Sequence, residues 1–423
     1  MIGVFLLLVV LRMPIGFSFA TAGLLGVALL RTLGGGISLL GTVPYAESAN
    51  YILVAIPMFV LMGQFIFNSG LSSELYDACY KWFGRFRGGL ALSTVGACTF
   101  FAACTGSSMA AVGTIGPTAM HEMKRFNYEP RFAAGSIVSG GTLGILIPPS
   151  IAFIVYGYLC AVSIGELFIA GILPGLFIAL MLALTIYLLC LRNPKLGPAA
   201  LPFPWKEMLA AGQKVWWVFL VLGVVLGGIY AGIFTPTEAG AIGAFIVFII
   251  LLLMRRMNWK TLVSSLKDSA VTTCMIFTIF IGAKVFNVFI GLSGIPLLVT
   301  TWIGGLPLPP LAILVIILIA YVPLGCFIDS LPLFILTLPV IFPVIDLLGI
   351  NPTWFGVLLV LMAQISLITP PVGMNVYVLA GITDVPMDQI FRGAFPFLIA
   401  FLIALAILIA FPQISLFLPG LMM

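Results

Sequence analysis

Four short segments carry the chain's densest chemistry. Two are polar interruptions of long apolar runs, Ala103-Cys104-Thr105-Gly106-Ser107-Ser108 and Gly325-Cys326-Phe327-Ile328-Asp329-Ser330. Two are Pro-Pro breaks, one running from Gly140, Gly141 and Thr142 to Pro148-Pro149-Ser150, the other from Ser366 through Thr369-Pro370-Pro371 to Asn375. A Pro-Pro pair removes two backbone donors and frees carbonyls on the preceding turn. In hydrocarbon such carbonyls survive only against protein or a polar cavity. Free carbonyls and Ser/Thr hydroxyls make a hard-oxygen shell that suits Na+. Helices starting after each tip and each break offer N–H donors and positive dipole ends, which suit a carboxylate. The pattern reads as cation sites beside an anion site. For one break alone, a kink re-satisfied by neighbouring helices would be the better reading; four breaks related in pairs favour a site.

Few charged residues join them. Asp329 lies at the second tip, where its carboxylate could ligate Na+ directly or through a neighbour, and intramembrane ionisable groups are functional candidates. Lys284 interrupts the apolar run Ile281 to Phe286; it could counter a substrate carboxylate, or snorkel and pair structurally. Thr105, Gly106, Ser150 and Asn375, with Lys284, are the substrate-binding candidates. Glu238, after Thr235-Pro236-Thr237, fits a helix N-terminus. His121 sits in a turn beside Glu122 and Lys124 with no second His for a metal, and reads as a surface residue.

The elements that must position these residues follow from composition. Of 423 residues, 62% are hydrophobic and 7% charged, against about 25% charged in a soluble domain. So apolar a chain cannot cover a globule with polar groups in water, and its Gly and Pro sit inside apolar runs, as in membrane helices. The expectation is an all-α polytopic membrane protein. Runs long enough to cross about 30 Å of hydrocarbon fall near 14–31, 51–68, 131–160, 165–191, 213–234, 237–254, 270–291, 353–381 and 393–418, with a shorter one at 2–12. The start of the chain reads as a mature helix rather than a signal peptide. Stretches 88–120 and 309–345 are too long for one crossing and polar at their middles; each reads as a re-entrant hairpin.

Composition also excludes functions. At +5 net charge with scattered basic residues, nothing resembles a nucleic-acid patch. No lysine follows a glycine, so a phosphate-binding loop is absent. The seven cysteines lack CxxC spacing and read as small hydrophobes. No paired carboxylates or nucleophile–His arrangement suggests an enzyme.

Charge placement orients the chain. Basic residues flank the first hairpin on both sides, from Lys81 to Arg87 and from Lys124 to Arg131, and counting crossings puts 16 of the 18 on one side, the cytoplasmic one. Arg31 and Lys284 are the exceptions. Residues 292–352 contain no Lys or Arg, so the second hairpin opens to the other side. Polar, Pro-rich 192–215 is the only sizeable linker, and it divides the chain nearly in half.

A shift of 222 residues brings the halves into register. Pro14, Pro117, Pro130, Pro148, Pro149 and Pro174 fall on Pro236, Pro339, Pro352, Pro370, Pro371 and Pro396, and Ser108 falls on Ser330. An odd number of crossings separates the hairpins, so the halves are inverted: a first repeat at 1–201, a linker with the start of the next helix at 202–222, and a second repeat at 223–423. Inverted repeats with interrupted helices are the architecture of secondary transporters, with the site at the broken segments.

On Thr105-Gly106-Ser107-Ser108, the run Ser139 to Ser150, Phe234-Thr235-Pro236-Thr237-Glu238-Ala239 and Thr369-Pro370-Pro371-Val372-Gly373, the sequence resembles the large membrane subunit of tripartite ATP-independent periplasmic (TRAP) transporters over essentially its whole length. The resemblance implies sodium-driven uptake of an organic anion, such as sialic acid or a C4-dicarboxylate, across the bacterial inner membrane. It implies two partners, a periplasmic substrate-binding protein and a separate small membrane subunit of about four helices. It implies an elevator, in which hairpins and broken helices move against a scaffold. It places one sodium site at Ser107, Ser108, Gly141 and Thr142 and the other at Asp329, Ser330 and Thr369. The alternative is a binding-protein-independent Na+/carboxylate symporter or antiporter of related architecture; a channel ranks third. The identity of the carboxylate is not legible in the sequence.

Overall fold

The computed structural model describes residues 1–199 and 203–422. Among them the regular structure is helical, without strands. In chain order the helices are α1 (Ile2–Val10), α2 (Ile15–Leu30), α3 (Leu33–Ser48), α4 (Ala55–Asn68), α5 (Leu71–Phe83), α6 (Gly89–Thr105), α7 (Ser108–Arg125), α8 (Pro130–Thr142), α9 (Ile151–Cys160), α10 (Ile164–Arg192), α11 (Trp205–Lys214), α12 (Trp216–Tyr230), α13 (Pro236–Leu253), α14 (Trp259–Leu292), α15 (Ile295–Gly304), α16 (Pro310–Phe327), α17 (Ser330–Leu347), α18 (Pro352–Ser366), α19 (Met374–Ile382), α20 (Met387–Ala410) and α21 (Gln413–Leu416). Several starts are written in the sequence. Pro130, Pro236, Pro310 and Pro352 each open a helix, where a missing N–H costs nothing. Thr235 and Glu238 form a reciprocal capping box at α13, which agrees with the structural reading of Glu238.

Six of these helices, α10, α13, α14, α16, α17 and α20, are individually long and apolar enough to cross a membrane. Two further pairs qualify together but are bent, α3 with the 3-10 turn and α4 by 61°, and α11 with α12 by 47°. The pairs α6/α7 and α16/α17 correspond to the stretches 88–120 and 309–345; each turns within two residues and packs on itself. The Pro-Pro segments separate α8 from α9 and α18 from α19, and both Pro-Pro bonds are cis.

Packing joins early helices to late ones. α2 lies along α14, α4 along α13, α8 along α20, α10 along α18, α7 against α19 and α9 against α17. Small residues permit the closest crossings. A Cβ on Gly282 would overlap the carbonyl of Gly16, and one on Gly393 would overlap the carbonyl of Arg131, while Gly135 faces Gly393 from α8. Phe5 stacks on Phe19 at 4.3 Å, folding the short α1 back onto α2.

Several boundaries differ from the sequence expectation. The segment 192–215 is not all linker: α11 is an amphipathic helix that buries Met208 and Ala211, and Trp82 Nε1 donates to the Met208 carbonyl at 3.0 Å. The expected repeat boundary at 201/202 lies outside the described residues. The run 270–291 is part of α14, which starts eleven residues earlier where Asn258 caps it, accepting from the Thr261 N–H at 2.8 Å. Its first turns carry Lys260 and Lys267, so hydropathy alone cuts them off. α3, α5 and α15 were not anticipated. α3 and α15 hold Gly or Pro in short apolar stretches, and α5 is amphipathic.

Candidate ion and substrate site

The first tip is fixed by backbone conformation. α6 ends at Gly106 in the left-handed region (φ 62°), its N–H on the Ala102 carbonyl, and Ser107 caps α7 by accepting from the Ala110 N–H at 3.3 Å. The tip rests on the first Pro-Pro break. A Cβ at Gly106 would stand 2.8 Å from the Pro149 carbonyl oxygen, and one at Gly144 would stand 2.6 Å from the Ser107 carbonyl oxygen. Behind the tip, Gly141 packs on Val112, and the Thr142 hydroxyl donates to the Ser139 carbonyl at 2.6 Å, leaving its oxygen lone pairs free. Ser150 caps α9, accepting from the Phe153 N–H.

The second tip also rests on a Pro-Pro break but is built differently. α16 ends at Phe327, Asp329 occupies the position before α17, and its side chain makes no cap bond. Gly325 lies against the Ser366 hydroxyl, and Cys326 Sγ is 3.3 Å from the Pro370 carbonyl oxygen, so this tip sits on the second break. Thr369 donates to the Ile365 carbonyl at 2.7 Å, again with lone pairs spare. The two assemblies touch: Ser108 Oγ donates to Asn375 Oδ1 at 3.3 Å, and Asn375 is wholly buried.

Around the breaks, polar atoms shielded from solvent lack partners. They include Asp329 Oδ1, Ser330 Oγ, Ser139 Oγ, Asn375 Nδ2 and both amide atoms of Gln364, which is 1% exposed. Each such group carries a cost of about 1–3 kcal/mol. Such groups are places where a bound ion or water could supply the missing partner.

Both tips open on one cavity of about 350 Å³. Its wall includes residues 105–110 from the first tip, 329–331 from the second, Ile151 at the start of α9, Gln64 on α4, Thr114 on α7 and Thr272 on α14. Thr105, Gly106, Ser107, Ser108, Asp329 and Ser330 therefore meet at one space. Ser150 adjoins it, Asn375 reaches it through Ser108, and Gly141, Thr142 and Thr369 stand behind the tips. Lys284 does not join them. Its ammonium is 3.5 Å from Glu47 Oε1 and 5.8 Å from the centre of the Tyr158 ring. Of its two sequence readings, this geometry is that of the structural pair.

Sequence reasoning missed Gln64, Thr114, Gln364 and Glu47, and reached Ser139 only as the start of a motif. For Gln364 a signal existed, since the 222-residue shift sets it on Thr142. Glu47 sits in a short, Gly-rich helix that gave no periodic pattern to read.

Comparison with known proteins shows the family and the fold. Residues 2–414 match the family model of the tripartite ATP-independent periplasmic transporter, DctM component. The C4-dicarboxylate TRAP transporter large permease protein DctM of Pseudomonas aeruginosa is 38% identical over 89% of this chain and 88% of that protein. The isethionate TRAP transporter permease protein DctMQ of Oleidesulfovibrio alaskensis is 31% identical over 99% of this chain and 66% of its own length. Among solved structures, the Alcanivorax borkumensis YdaH transporter superposes with a TM-score of 0.65 at 14% identity, over 90% of this chain and 89% of that one, a likeness of fold.

Proposed function

Because this chain belongs to the family of DctM components of tripartite ATP-independent periplasmic transporters, a multi-pass membrane permease subunit and not an enzyme, we propose that it drives uptake of an organic anion with Na+ by an elevator motion. The observation that carries the reading is one cavity lined by both tips, with the unpartnered Asp329 Oδ1 and Ser330 Oγ of the second tip in its wall.

In this reading Ser107, Ser108, Gly141 and Thr142 offer oxygens to one Na+, and Asp329, Ser330 and Thr369, with Gln364, to another. The anion takes the N–H donors at the starts of α7 and α9 together with Thr105, Gly106, Ser150 and Asn375. Coupling follows from charge. Asp329 and a substrate anion about 6 Å apart repel by roughly 3 kcal/mol at an effective dielectric near 20. A cation held between them removes that barrier, so each binds better with the other present.

The two-repeat organisation is supported by the packing. Under the 222-residue shift, α2 with α14 maps onto α13 with α4, α8 with α20 onto α18 with α10, and α7 with α19 onto α17 with α9. In this reading α2, α3, α4, α13 and α14, which pack on one another, are the scaffold, and α6–α10 and α16–α20 are the part that moves, the two meeting where α4 touches α6 and α14 touches α17. Gln64, Thr114 and Thr272 put the cavity on the side of the tips toward Lys124, Arg125, Lys260 and Lys267. By the positive-inside rule this is the cytoplasmic side, and in this reading the state is inward-open.

The partners in this reading are a periplasmic binding protein and a small membrane subunit of about four helices, and the location is the bacterial inner membrane. The name and greater length of the DctMQ relative support the second partner. The substrate class is an organic anion, C4-dicarboxylates among the candidates on the strength of the Pseudomonas relative. The test is uptake into proteoliposomes holding this chain and the small subunit, with binding protein and inward Na+ omitted in turn. Loss of uptake in both omissions is expected. Uptake without the binding protein would favour the simple Na+/carboxylate symporter, and indifference to Na+ would overturn the role given to the tips and breaks.

A further inference from the structure

We propose that Tyr158 is a positioning residue, a state-specific tie that holds α9 to the scaffold in the inward-open state and must release before the cavity can face outward; this rests on the elevator reading above.

Three helices meet at Glu47. This carboxylate, in the last turn of α3, is 4% exposed. Its Oε2 accepts from the Tyr158 hydroxyl of α9 at 2.7 Å, and its Oε1 lies 3.5 Å from the Lys284 ammonium of α14. The Tyr158 ring packs edge-on against Phe280 of α14, centroids 6.0 Å apart. The partners divide unequally between the two bodies. Glu47 and Lys284 both belong to the scaffold, so their charge pair travels as a unit. Tyr158 belongs to the helix that starts at the cavity, two turns after Ile151. A slide of the moving body by even one helical turn, about 5.4 Å, carries the hydroxyl out of reach of a 2.7 Å bond. After that release Glu47 keeps Lys284, so no buried carboxylate is left without a partner. The arrangement thus separates a permanent contact from a breakable one. It also gives Lys284 a purpose within the apolar part of α14 without any contact to substrate.

The test uses the complete transporter, with its small subunit, in bilayers. Cys274, the one exposed cysteine among the described residues, is replaced by Ser. Spin labels at exposed His121→Cys on α7 and Lys267→Cys on α14 then report the distance between the bodies. Two distance populations are expected, their ratio moved by Na+ and substrate. Tyr158→Phe retains the ring and its packing on Phe280 but loses the hydroxyl. It should lower the inward-to-outward ratio about tenfold, as expected for losing a hydrogen bond to a charged group. Glu47→Gln keeps an acceptor without the charge and should shift the ratio in the same direction by less. Two populations in an unchanged ratio in Tyr158→Phe would overturn the tie and leave the elevator standing. A single distance under every condition would remove both.

Discussion

Gly144→Ala tests the candidate site through one methyl group. The added Cβ would stand 2.6 Å from the Ser107 carbonyl oxygen and 2.8 Å from Ser108 Cα, both backbone atoms of the first tip. Neither can rotate away. Reaching ordinary contact near 3.4 Å requires the tip to retreat by about 0.8 Å, and ligand shells fail when held more than about 0.5 Å from their working geometry. Overpacking of this kind costs about 1–3 kcal/mol. Spent on the cation site, that is roughly a 5- to 150-fold loss of Na+ affinity. The measurement is the Na+ concentration giving half-maximal uptake in proteoliposomes, with Na+-dependent thermal stabilisation of the detergent-solubilised protein as a second readout. Gly113→Ala is the control, because its Cβ would meet nothing within 4 Å although Gly113 also lines the cavity. If Gly144→Ala keeps the Na+ dependence of the Gly113→Ala protein, the first tip is not a cation ligand and the reasoning fails.

Three further outcomes are expected. Asp329→Asn removes the charge that faces the cavity and should raise the half-maximal Na+ concentration at least tenfold, since the Coulomb attraction between a carboxylate and a cation a few ångströms away is lost; an unchanged Na+ titration would exclude the carboxylate as a ligand. Gln364→Leu deletes two unpartnered buried polar atoms, so the protein without Na+ should melt higher while the stabilisation by Na+ shrinks; a lower melting temperature with intact Na+ stabilisation would assign the amide to packing alone. Two Na+ entering with a monovalent anion carry net positive charge, and each net charge gains about 2.3 kcal/mol per 100 mV of inside-negative potential; uptake should therefore accelerate under an imposed potential, and indifference to it would count against that stoichiometry.

What was legible in the sequence depended on whether a residue disturbs an apolar background. Pro148-Pro149 and Pro370-Pro371 stand out because hydrocarbon tolerates few broken turns, and Asp329 stands out as a lone charge between helices. Both hairpin tips could therefore be placed to within a few residues. The amphipathic α5 and α11 escaped because their periodicity is short and their residues are partly polar. Gln364 escaped for a different reason. An amide inside a helical run looks like any polar residue until its surroundings are known, and only Thr142 across the 222-residue shift hints at its importance. Lys284 shows the converse limit. Its position in α14 was plain, but its partner, Glu47, lies 237 residues earlier and shares no pattern with it. Pairings at that separation are set by helix packing, which composition does not encode.

The crossed packing also bears on how the chain is made. α2 lies along α14, and α14 begins at Trp259, about 230 residues after α2 ends. At about 5–20 residues per second, the ribosome reaches that point roughly ten to fifty seconds later. Through that interval the Gly16–Gly23–Gly26 stripe of α2, where Gly16 and Gly23 receive the α14 backbone and Gly26 the Phe289 ring, has only lipid or a foreign helix on that face. Insertion into the bilayer and assembly are therefore separate events for this protein, and the first half waits, already inserted, for the second. A nascent chain stalled before α13 would expose those glycine seams to the membrane's quality-control proteases, which makes the late helices arbiters of whether the early ones survive.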